Sequence, residues 1–216
     1  MIGPATTVEQ LYEPLRTEAV WAWAKWDIFR ELYATKARLE LLKASAAGFF
    51  SLLQQTLFDD ILMAISRVTD NPVVGKYRNL TLDDLSAHLA RSGLASSRAQ
   101  FDAIHAQLRV DTEAIRTLRN KVLGHRDLVT AVSGGGSLAT IRSQEVAVAL
   151  GHLADALNVF ERAVGLPTYM YREFIHVDSH TRLLLQLKKA LAYDTHVKSG
   201  LIARGADDLT LPPLRP

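Results

Sequence analysis

Apolar residues recur at steps of three and four along most of the chain, which is the spacing of an amphipathic α-helix. From Leu11 to about Val68 there is no proline after Pro14, and Gly48 is the only glycine. This pattern predicts two long helices with a break near residues 34–37. The second helix carries a wide apolar arc, formed by Phe49, Phe50, Leu53, Leu57, Phe58, Ile61, Leu62, Ala64, Ile65 and Val68. Such a helix belongs in the centre of a bundle.

Turn and capping residues divide the rest of the chain into further helices. Asn71-Pro72 predicts the end of the second helix, because proline disfavours helical geometry in the residue before it. Thr81 followed by Asp84 is typical of a capping box, and Gly93 ends the helix that begins there. Four more helices are predicted to begin at Ser96 or Ser97, at Asp111, at Ser143, and at Asp178 or Ser179. The predicted core row of the fifth helix is Ile115, Leu118 and Val122. That of the sixth helix is Val146, Leu150, Leu153, Leu157 and Phe160.

The sequence therefore predicts an all-α helical bundle with two long N-terminal helices. β-Branched residues on both sides of the glycines at 134–136 fit either a small β-hairpin or a loop near 128–141. We expect the bundle to occupy residues 1–167, a C-terminal helix over 168–200 to pack on it, and a tail to occupy 201–216.

The amino-acid composition excludes several kinds of functional site. The chain has no cysteine, which excludes disulfides, thiolate nucleophiles and cysteine-bound metal centres. Its start does not resemble a secretory signal and no apolar stretch is long enough to span a membrane, so we expect a cytoplasmic protein without a membrane partner. Arginine makes up 17 of the 25 basic residues, which suits phosphate binding but equally fits a GC-rich coding bias.

The most suggestive chemistry lies in residues 116–127, at the end of the fifth predicted helix. This stretch concentrates polar side chains, namely Arg116, Arg119, Asn120, Lys121, His125, Arg126 and Asp127. Spacing alone does not distinguish it, since Arg98 and His105 are separated by nearly the same distance. Clustering does. A structural alternative stays open, in which the basic residues complement the helix dipole and Asp127 pairs with Arg126 or Lys121.

Arg119 and His125 lie six positions apart, roughly 120° around an α-helix, so they would flank a groove. Gly124 has no side chain and lets another backbone come close at that point. Phosphodiester cleavage suits such a groove. Arg119 would bind phosphate, His125 would transfer protons near neutral pH, and Asn120 would orient one of them. This chemistry needs no metal ion and no cofactor.

The order Arg119-Asn120 and then His125, on a late helix of an all-α bundle, resembles the signature of the HEPN superfamily. In that signature an arginine and a polar residue precede a histidine by a few positions. The run 57–70, with Leu80-Thr81-Leu82 after it and 119–127 downstream, is similar to the AbiU-like branch of abortive-infection proteins. The resemblance covers about residues 10–165.

This resemblance implies a homodimer in which two such helices build a composite, metal-independent ribonuclease site, used as a toxin in phage defence. Arg119, Asn120 and His125 would be catalytic. The residues expected to bind RNA or support them are Arg116, Lys121, Arg126, Asp127, Asp59 and Asp60. RNA and a cognate antitoxin protein are the implied partners. HEPN toxins silenced by a nucleotidyltransferase carry a tyrosine two positions after the histidine, where this chain has Asp127, so that route is in doubt.

Two alternatives to the enzyme remain, a non-catalytic HEPN-like module that binds RNA, nucleotide or protein, and a purely structural bundle. Asp59 and Asp60 fall inside an apolar helix, where an acid is costly unless it is paired. They would either support the basic cluster or form a structural salt bridge. His176 and His180 have the spacing of a metal-binding pair but lack the zinc-protease glutamate, so we expect no metal site.

Overall fold

The computed structural model describes residues 7–123, 141–173 and 179–202, and the described part is mainly helical, which confirms the all-α prediction. Its seven α-helices are α1 Val8–Tyr33, α2 Lys36–Thr69, α3 Leu82–Arg91, α4 Ala95–Asp111, α5 Glu113–Leu118, α6 Ser143–Val164 and α7 Ser179–Lys198. A π-helical segment, Arg119–Leu123, continues α5. The strands β1 Val73–Val74 and β2 Tyr77–Arg78 form an antiparallel hairpin between α2 and α3. Among these helices none is both long and apolar enough to cross a membrane.

Most predicted helix ends are confirmed. The break between the two N-terminal helices falls at residues 34–35, and α2 ends at Thr69, just before Asn71-Pro72. Asp84 accepts a hydrogen bond from the backbone N–H of Thr81 at 3.0 Å, which fixes the start of α3 as the sequence predicted. The hairpin or loop predicted near 128–141 lies almost entirely outside the described residues.

Three details differ from prediction. α4 begins at Ala95, slightly earlier than either candidate serine. α5 follows Thr112 and not Asp111, because the Asp111 carboxylate lies 2.7 Å from Nδ1 of His152 and is engaged there. Val122, predicted to be a core residue, is 42% exposed. The wider turn of the π-helical segment rotates this residue away from the stripe that an α-helix would have continued.

Buried apolar side chains are most numerous on α1, α2 and α6, with further ones on α3 and α4, and α4 is in extensive contact with α6. The stripe predicted for the sixth helix is buried throughout, at Val146, Leu150, Leu153, Leu157 and Phe160. The last three turns of α2 are buried as well, at Ile61, Leu62, Ala64, Ile65 and Val68. The later part of the predicted apolar arc is therefore buried, whereas Phe49, at its start, is 62% exposed.

α1 runs antiparallel to the later part of α2. Two ion pairs show this, Lys25 with Asp60 and Glu18 with Arg67. The partners shift by seven residues in opposite directions along the two helices. α1 thereby flanks the end of α2 from which the hairpin follows.

The chain divides into two compact units, residues 1–29 with 54–176, and residues 30–53 with 177–216. The first unit contains the core and the hairpin. Within the second unit, the Tyr33 hydroxyl donates to the carbonyl of Phe50 at 2.8 Å, and α2 leaves helical geometry at Ala46. No residue of α7 is buried within the described part. The division into a bundle over 1–167, a packed helix over 168–200 and a tail over 201–216 stays a prediction.

Glu161, on α6, is a fully buried acid held by three donors. Its carboxylate accepts hydrogen bonds from the hydroxyls of Tyr12 and Tyr171, both at 2.6 Å, and from the backbone N–H of Tyr169 at 2.7 Å. Burial, and next the hydrogen bond to Glu161, raise the pKa of both tyrosine hydroxyls, so they remain protonated donors. This cluster joins α1, α6 and the segment that follows α6.

Candidate functional site

Arg119 lies at the junction where α5 becomes π-helical. α5 ends at Leu118, and the π-helical segment begins at Arg119 itself. π-Helical turns are rare, and they occur frequently at functional sites because they displace side chains from the regular helical position. The 120° angle expected between Arg119 and His125 assumed an α-helix and does not apply across this segment.

Arg119 is held by the carboxylate of Asp70, a residue that was not among the predicted site residues. Its Nη2 atom lies 2.8 Å from Oδ2 of Asp70, and both side chains are mostly buried, with 21% and 17% exposed. Asp70 directly follows the last residue of α2. A carboxylate is unfavourable beside the partial negative charge of a helix C-terminus, and the guanidinium offsets this repulsion. Nε of Arg119 is buried and has no hydrogen-bond partner among the described residues.

The Arg119 cleft is a cavity of about 810 Å³ beside this ion pair. Three parts of the first unit form its walls: the end of α2, the hairpin with the residues after it, and the start of the π-helical segment. The residues are Arg67, Asp70, Asn71, Val74, Tyr77, Arg78, Asn79, Leu80, Arg119 and Asn120. Three arginines and three asparagines supply mainly hydrogen-bond donors and amides, which suits a ligand that carries anionic oxygens.

The other two arginines of the Arg119 cleft are tied to acids behind it. Nε of Arg67 donates to Glu18 at 2.6 Å, and Nη2 of Arg78 donates to Asp84 at 2.5 Å. Their side chains stay 49% and 45% exposed. The pair between Arg67 and Glu18 is exposed enough that a phosphate can share or replace it at low cost. Asp84 is buried, so Arg78 keeps that carboxylate and offers a phosphate the donors that remain.

Asn120 is the other predicted catalytic residue that lines the Arg119 cleft. Arg116 does not line it. Its guanidinium turns back along its own helix and donates to the hydroxyl of Thr112 at 2.6 Å and to the carbonyl of Arg109 at 2.8 Å. Burial, and then the positive charge of Arg109, lower the pKa of Arg116. Arg116 therefore supports the helix that carries Arg119, without facing the same cavity.

Lys121 faces a different cavity from Arg119. It lines a cleft between α5 and the start of α6, where Glu113, Arg142 and Glu145 are also found. The predicted basic cluster is thus divided by the π-helical segment, since Arg119 and Asn120 face one side and Lys121 the other. His125, Arg126 and Asp127 lie outside the described residues, as does His176 of the weighed metal pair.

Asp59 and Asp60 do not partner Arg119 in the described structure. Asp60 forms an ion pair with Lys25 of α1, and Asp59 accepts both hydrogen bonds from the amide of Gln55, at 2.8 and 2.9 Å. Asp70 takes the position beside Arg119, and it lies about 15 Å further along the chain direction of α2 than Asp60. Asp60 therefore forms a structural salt bridge, which was one of the two alternatives that the sequence left open.

The sequence does carry a signal for Asp70, namely its position after a long helix. An acid placed directly after a long helix opposes the helix dipole, so it calls for a cationic partner elsewhere. Arg67 and Arg78 offered no comparable signal, because their position beside the Arg119 cleft depends on how the hairpin folds back toward the bundle.

Comparison with known proteins identifies the family to which this chain belongs. The sequence profile of the AbiU2 family, a HEPN family, matches residues 5–181. No curated protein and no solved structure matches the chain. The matched range includes α1 to α6, the hairpin, and the segment with Arg119 and Asn120. By this match the chain belongs to the AbiU2 family of the HEPN superfamily.

Proposed function

We propose that this protein is a metal-independent endoribonuclease of the HEPN type that acts as a toxin in abortive infection. The observation that carries the proposal is the placement of Arg119. Its guanidinium is held by Asp70 on the wall of a cleft rich in arginine and asparagine, with Asn120 beside it. Family membership supports the same reaction.

The proposed reaction is transfer of a phosphodiester to the neighbouring ribose hydroxyl. His125, as general base, removes the proton from the 2′-hydroxyl, whose oxygen attacks phosphorus. The bond from phosphorus to the 5′-oxygen breaks, and that oxygen takes up a proton from a general acid. The products are a 2′,3′-cyclic phosphate and a 5′-hydroxyl. Arg119 stabilises the negative charge that develops on the phosphoryl oxygens, and Asn120 orients the phosphate or the histidine.

The polar residues nearby have supporting parts in this proposal. Lys121, Arg126 and Asp127 contact RNA outside the reacting phosphate, and Arg116 stabilises the helix. Arg126 is the more suitable phosphate ligand of this set, because its planar fork donates two parallel hydrogen bonds. A cognate antitoxin protein is the proposed partner that restrains the toxin.

We further propose that the site is completed by a second copy of the chain. The family resemblance supports a dimer in which two such helices meet, and Val122, exposed on this segment, offers an apolar side chain for that contact. If the site is composite, specific activity falls when the protein is diluted below its dimerisation constant. Sedimentation velocity over the same concentrations should show the dimer dissociating as activity is lost. Constant specific activity of a monomer would contradict the composite site.

Cleavage of RNA by the purified protein in EDTA is the decisive test. His125→Ala should reduce cleavage about 10²- to 10⁴-fold, the usual contribution of a general acid or base, while circular dichroism shows an intact fold. His196→Ala is the matched control, because that histidine is exposed on α7. Undiminished cleavage by His125→Ala would overturn the assignment. RNA retention without cleavage by the wild type would instead identify a binding module.

Expression in bacteria gives a second measurement that requires no RNA substrate to be known. Wild-type protein should arrest growth, and Arg119→Ala or His125→Ala should relieve the arrest at equal protein level. Arg98→Ala should remain toxic, because Arg98 is exposed and paired with Asp102 on its own helix. Relief by the Arg98 variant as well would show that toxicity does not depend on the proposed site.

A further inference from the structure

The hairpin beside the Arg119 cleft exposes apolar side chains. Val73, Val74 and Tyr77 are all largely exposed, and Tyr77 is 68% exposed. Val74 and Tyr77 are partners across the two strands and both line the Arg119 cleft. Three large apolar side chains within five residues form an exposed patch that calls for a binding partner.

This hairpin is held in place in spite of its small size. A two-stranded ribbon with two residues in each strand is not stable by itself. Here the backbone N–H of Asn79 donates to the carbonyl of Pro72 at 2.8 Å, and the amide of Asn71 accepts from Arg109 at 2.9 Å. Arg78 is bound to the buried carboxylate of Asp84. These bonds fix the base of the hairpin and keep its tip exposed.

The residue order on the hairpin indicates which ligand would suit it. Lys76, Tyr77 and Arg78 alternate cation, aromatic ring and cation. Nζ of Lys76 lies 5.4 Å from the centre of the Tyr77 ring. Proteins that bind single-stranded nucleic acid combine stacking rings for the bases with cations for the backbone. This arrangement matches both needs within three residues.

We propose that Tyr77 stacks against a nucleobase of single-stranded RNA, with Lys76 and Arg78 contacting the phosphates on either side of that nucleotide. This inference rests on the proposed ribonuclease function and names its substrate as single-stranded. The hairpin and Arg119 line one cavity, so a nucleotide stacked on Tyr77 is continuous with the phosphate held at Arg119. A base in a duplex has no free face to offer, which makes duplex RNA a poor ligand.

Binding of a non-cleavable probe tests the inference separately from catalysis. The probe is a single-stranded 2′-O-methyl oligonucleotide of about 12 nucleotides, a length that spans the usual site sizes. Tyr77→Ala should weaken binding about ten-fold, while Tyr77→Phe, which keeps the ring, should bind as the wild type does. Tyr193→Ala is the matched control, because it removes an exposed tyrosine from α7. A fully abasic probe should bind wild type and Tyr77→Ala equally.

The outcomes separate this inference from the proposed function. RNA cleavage with unchanged probe binding by Tyr77→Ala would overturn the stacking site and leave the ribonuclease standing. Probe binding that depends on the Tyr77 ring, without RNA cleavage, would support the stacking site and contradict the proposed ribonuclease function. If wild type binds no single-stranded probe, or binds duplex equally well, the inference fails. A shift from dimer to monomer in Tyr77→Ala, with probe affinity per site unchanged, would show that the hairpin contacts a second copy instead.

Discussion

Two carboxylates of the bundle, Glu161 and Asp70, are partnered in different ways. Glu161 is fully buried and receives three hydrogen bonds from neutral donors, two tyrosine hydroxyls and one backbone amide. Asp70 lies at the edge of a cleft and pairs with Arg119. The Glu161 cluster uses its donors within the protein, whereas Arg119 keeps part of its guanidinium available beside a cavity.

The difference shows how a structural polar cluster and a ligand site can be distinguished in one fold. A buried group with its bonds made stabilises the fold and has little capacity left for a ligand. Arg119 combines a permanent charge, a buried Nε that no described residue partners, and a position on a cavity wall. An unpartnered atom by itself is insufficient, because six other buried side-chain atoms in the described part also lack partners. The combination is what indicates a function.

The largest expected effect on stability is at Glu161. Glu161→Ala leaves the hydroxyls of Tyr12 and Tyr171 buried without their acceptor and opens a cavity, so we expect a loss of about 3 kcal/mol or more in the free energy of unfolding. Urea denaturation measures it. Glu13→Ala, which removes an exposed acid paired with Arg16, should change stability by less than about 0.5 kcal/mol. Equal losses of stability in the two variants would show that the Glu161 cluster has no special structural role.

Arg119→Ala should show the reverse behaviour, with a large loss of activity and a small loss of stability. We expect RNA cleavage to fall about 10²- to 10³-fold, because a positioned donor to the transition state is lost. The free energy of unfolding should fall by about 1–2 kcal/mol, less than in Glu161→Ala, because Asp70 is mostly buried but lines the cleft, where water can replace the guanidinium. Arg98→Ala is the matched control for removing an arginine. A loss of stability as large as that of Glu161→Ala would contradict the comparison.

Asp70→Asn should have an intermediate effect, because Asp70 acts through Arg119. Removing the negative charge lets the guanidinium leave the cleft wall, and we expect kcat to fall about ten-fold with KM little changed. Asp70→Glu should recover part of kcat, since it restores the charge. Asp155→Asn, which breaks an exposed ion pair with Arg172, should leave kcat unchanged. A rise in KM at constant kcat would assign Asp70 to substrate binding instead of positioning.

The helices and much of the core could be predicted from the sequence because their signals are local. The stripe from Val146 to Phe160 repeats at helical spacing, and all five of its predicted positions are buried. The ends of α2 and α3 followed from Asn71-Pro72 and Gly93, whose effects reach only one or two residues. Local steric rules and periodicity were therefore sufficient for the architecture.

The Arg119 cleft could be predicted only in part, because it depends on contacts between distant residues. Asp70 and Arg119 are 49 positions apart, and nothing in either local pattern links them. The π-helical segment changed the register after Leu118, so Lys121 and Val122 face directions that an α-helical projection does not give. Periodicity also carries no information on how the hairpin places Tyr77 beside Arg119.

The smallest expected effect is at His105, which tests whether incomplete bonding alone marks a functional group. Its side chain is buried on α4 and its Nε2 has no partner in the part of the chain that the structure describes, but it does not line the Arg119 cleft. Burial lowers the pKa of His105, and the positive charges of Arg109 and Arg116 act in the same direction. The carboxylates of Asp83 and Asp102 oppose this shift without reversing it.

The sign of the resulting pH dependence follows from that lowered pKa. Below about pH 6.5 the histidine of the unfolded chain takes up a proton that the folded protein resists, so wild-type stability should fall as the pH drops from there toward the lowered value. His105→Gln should reduce this fall, and His196→Gln, at an exposed position, should not. RNA cleavage at neutral pH should be unchanged in His105→Gln, since the cleft keeps Arg119 and Asp70. Loss of cleavage with normal stability would show that the functional region extends to His105. His105 would then be a buried group that serves function without lining the Arg119 cleft, unlike both Glu161 and Arg119.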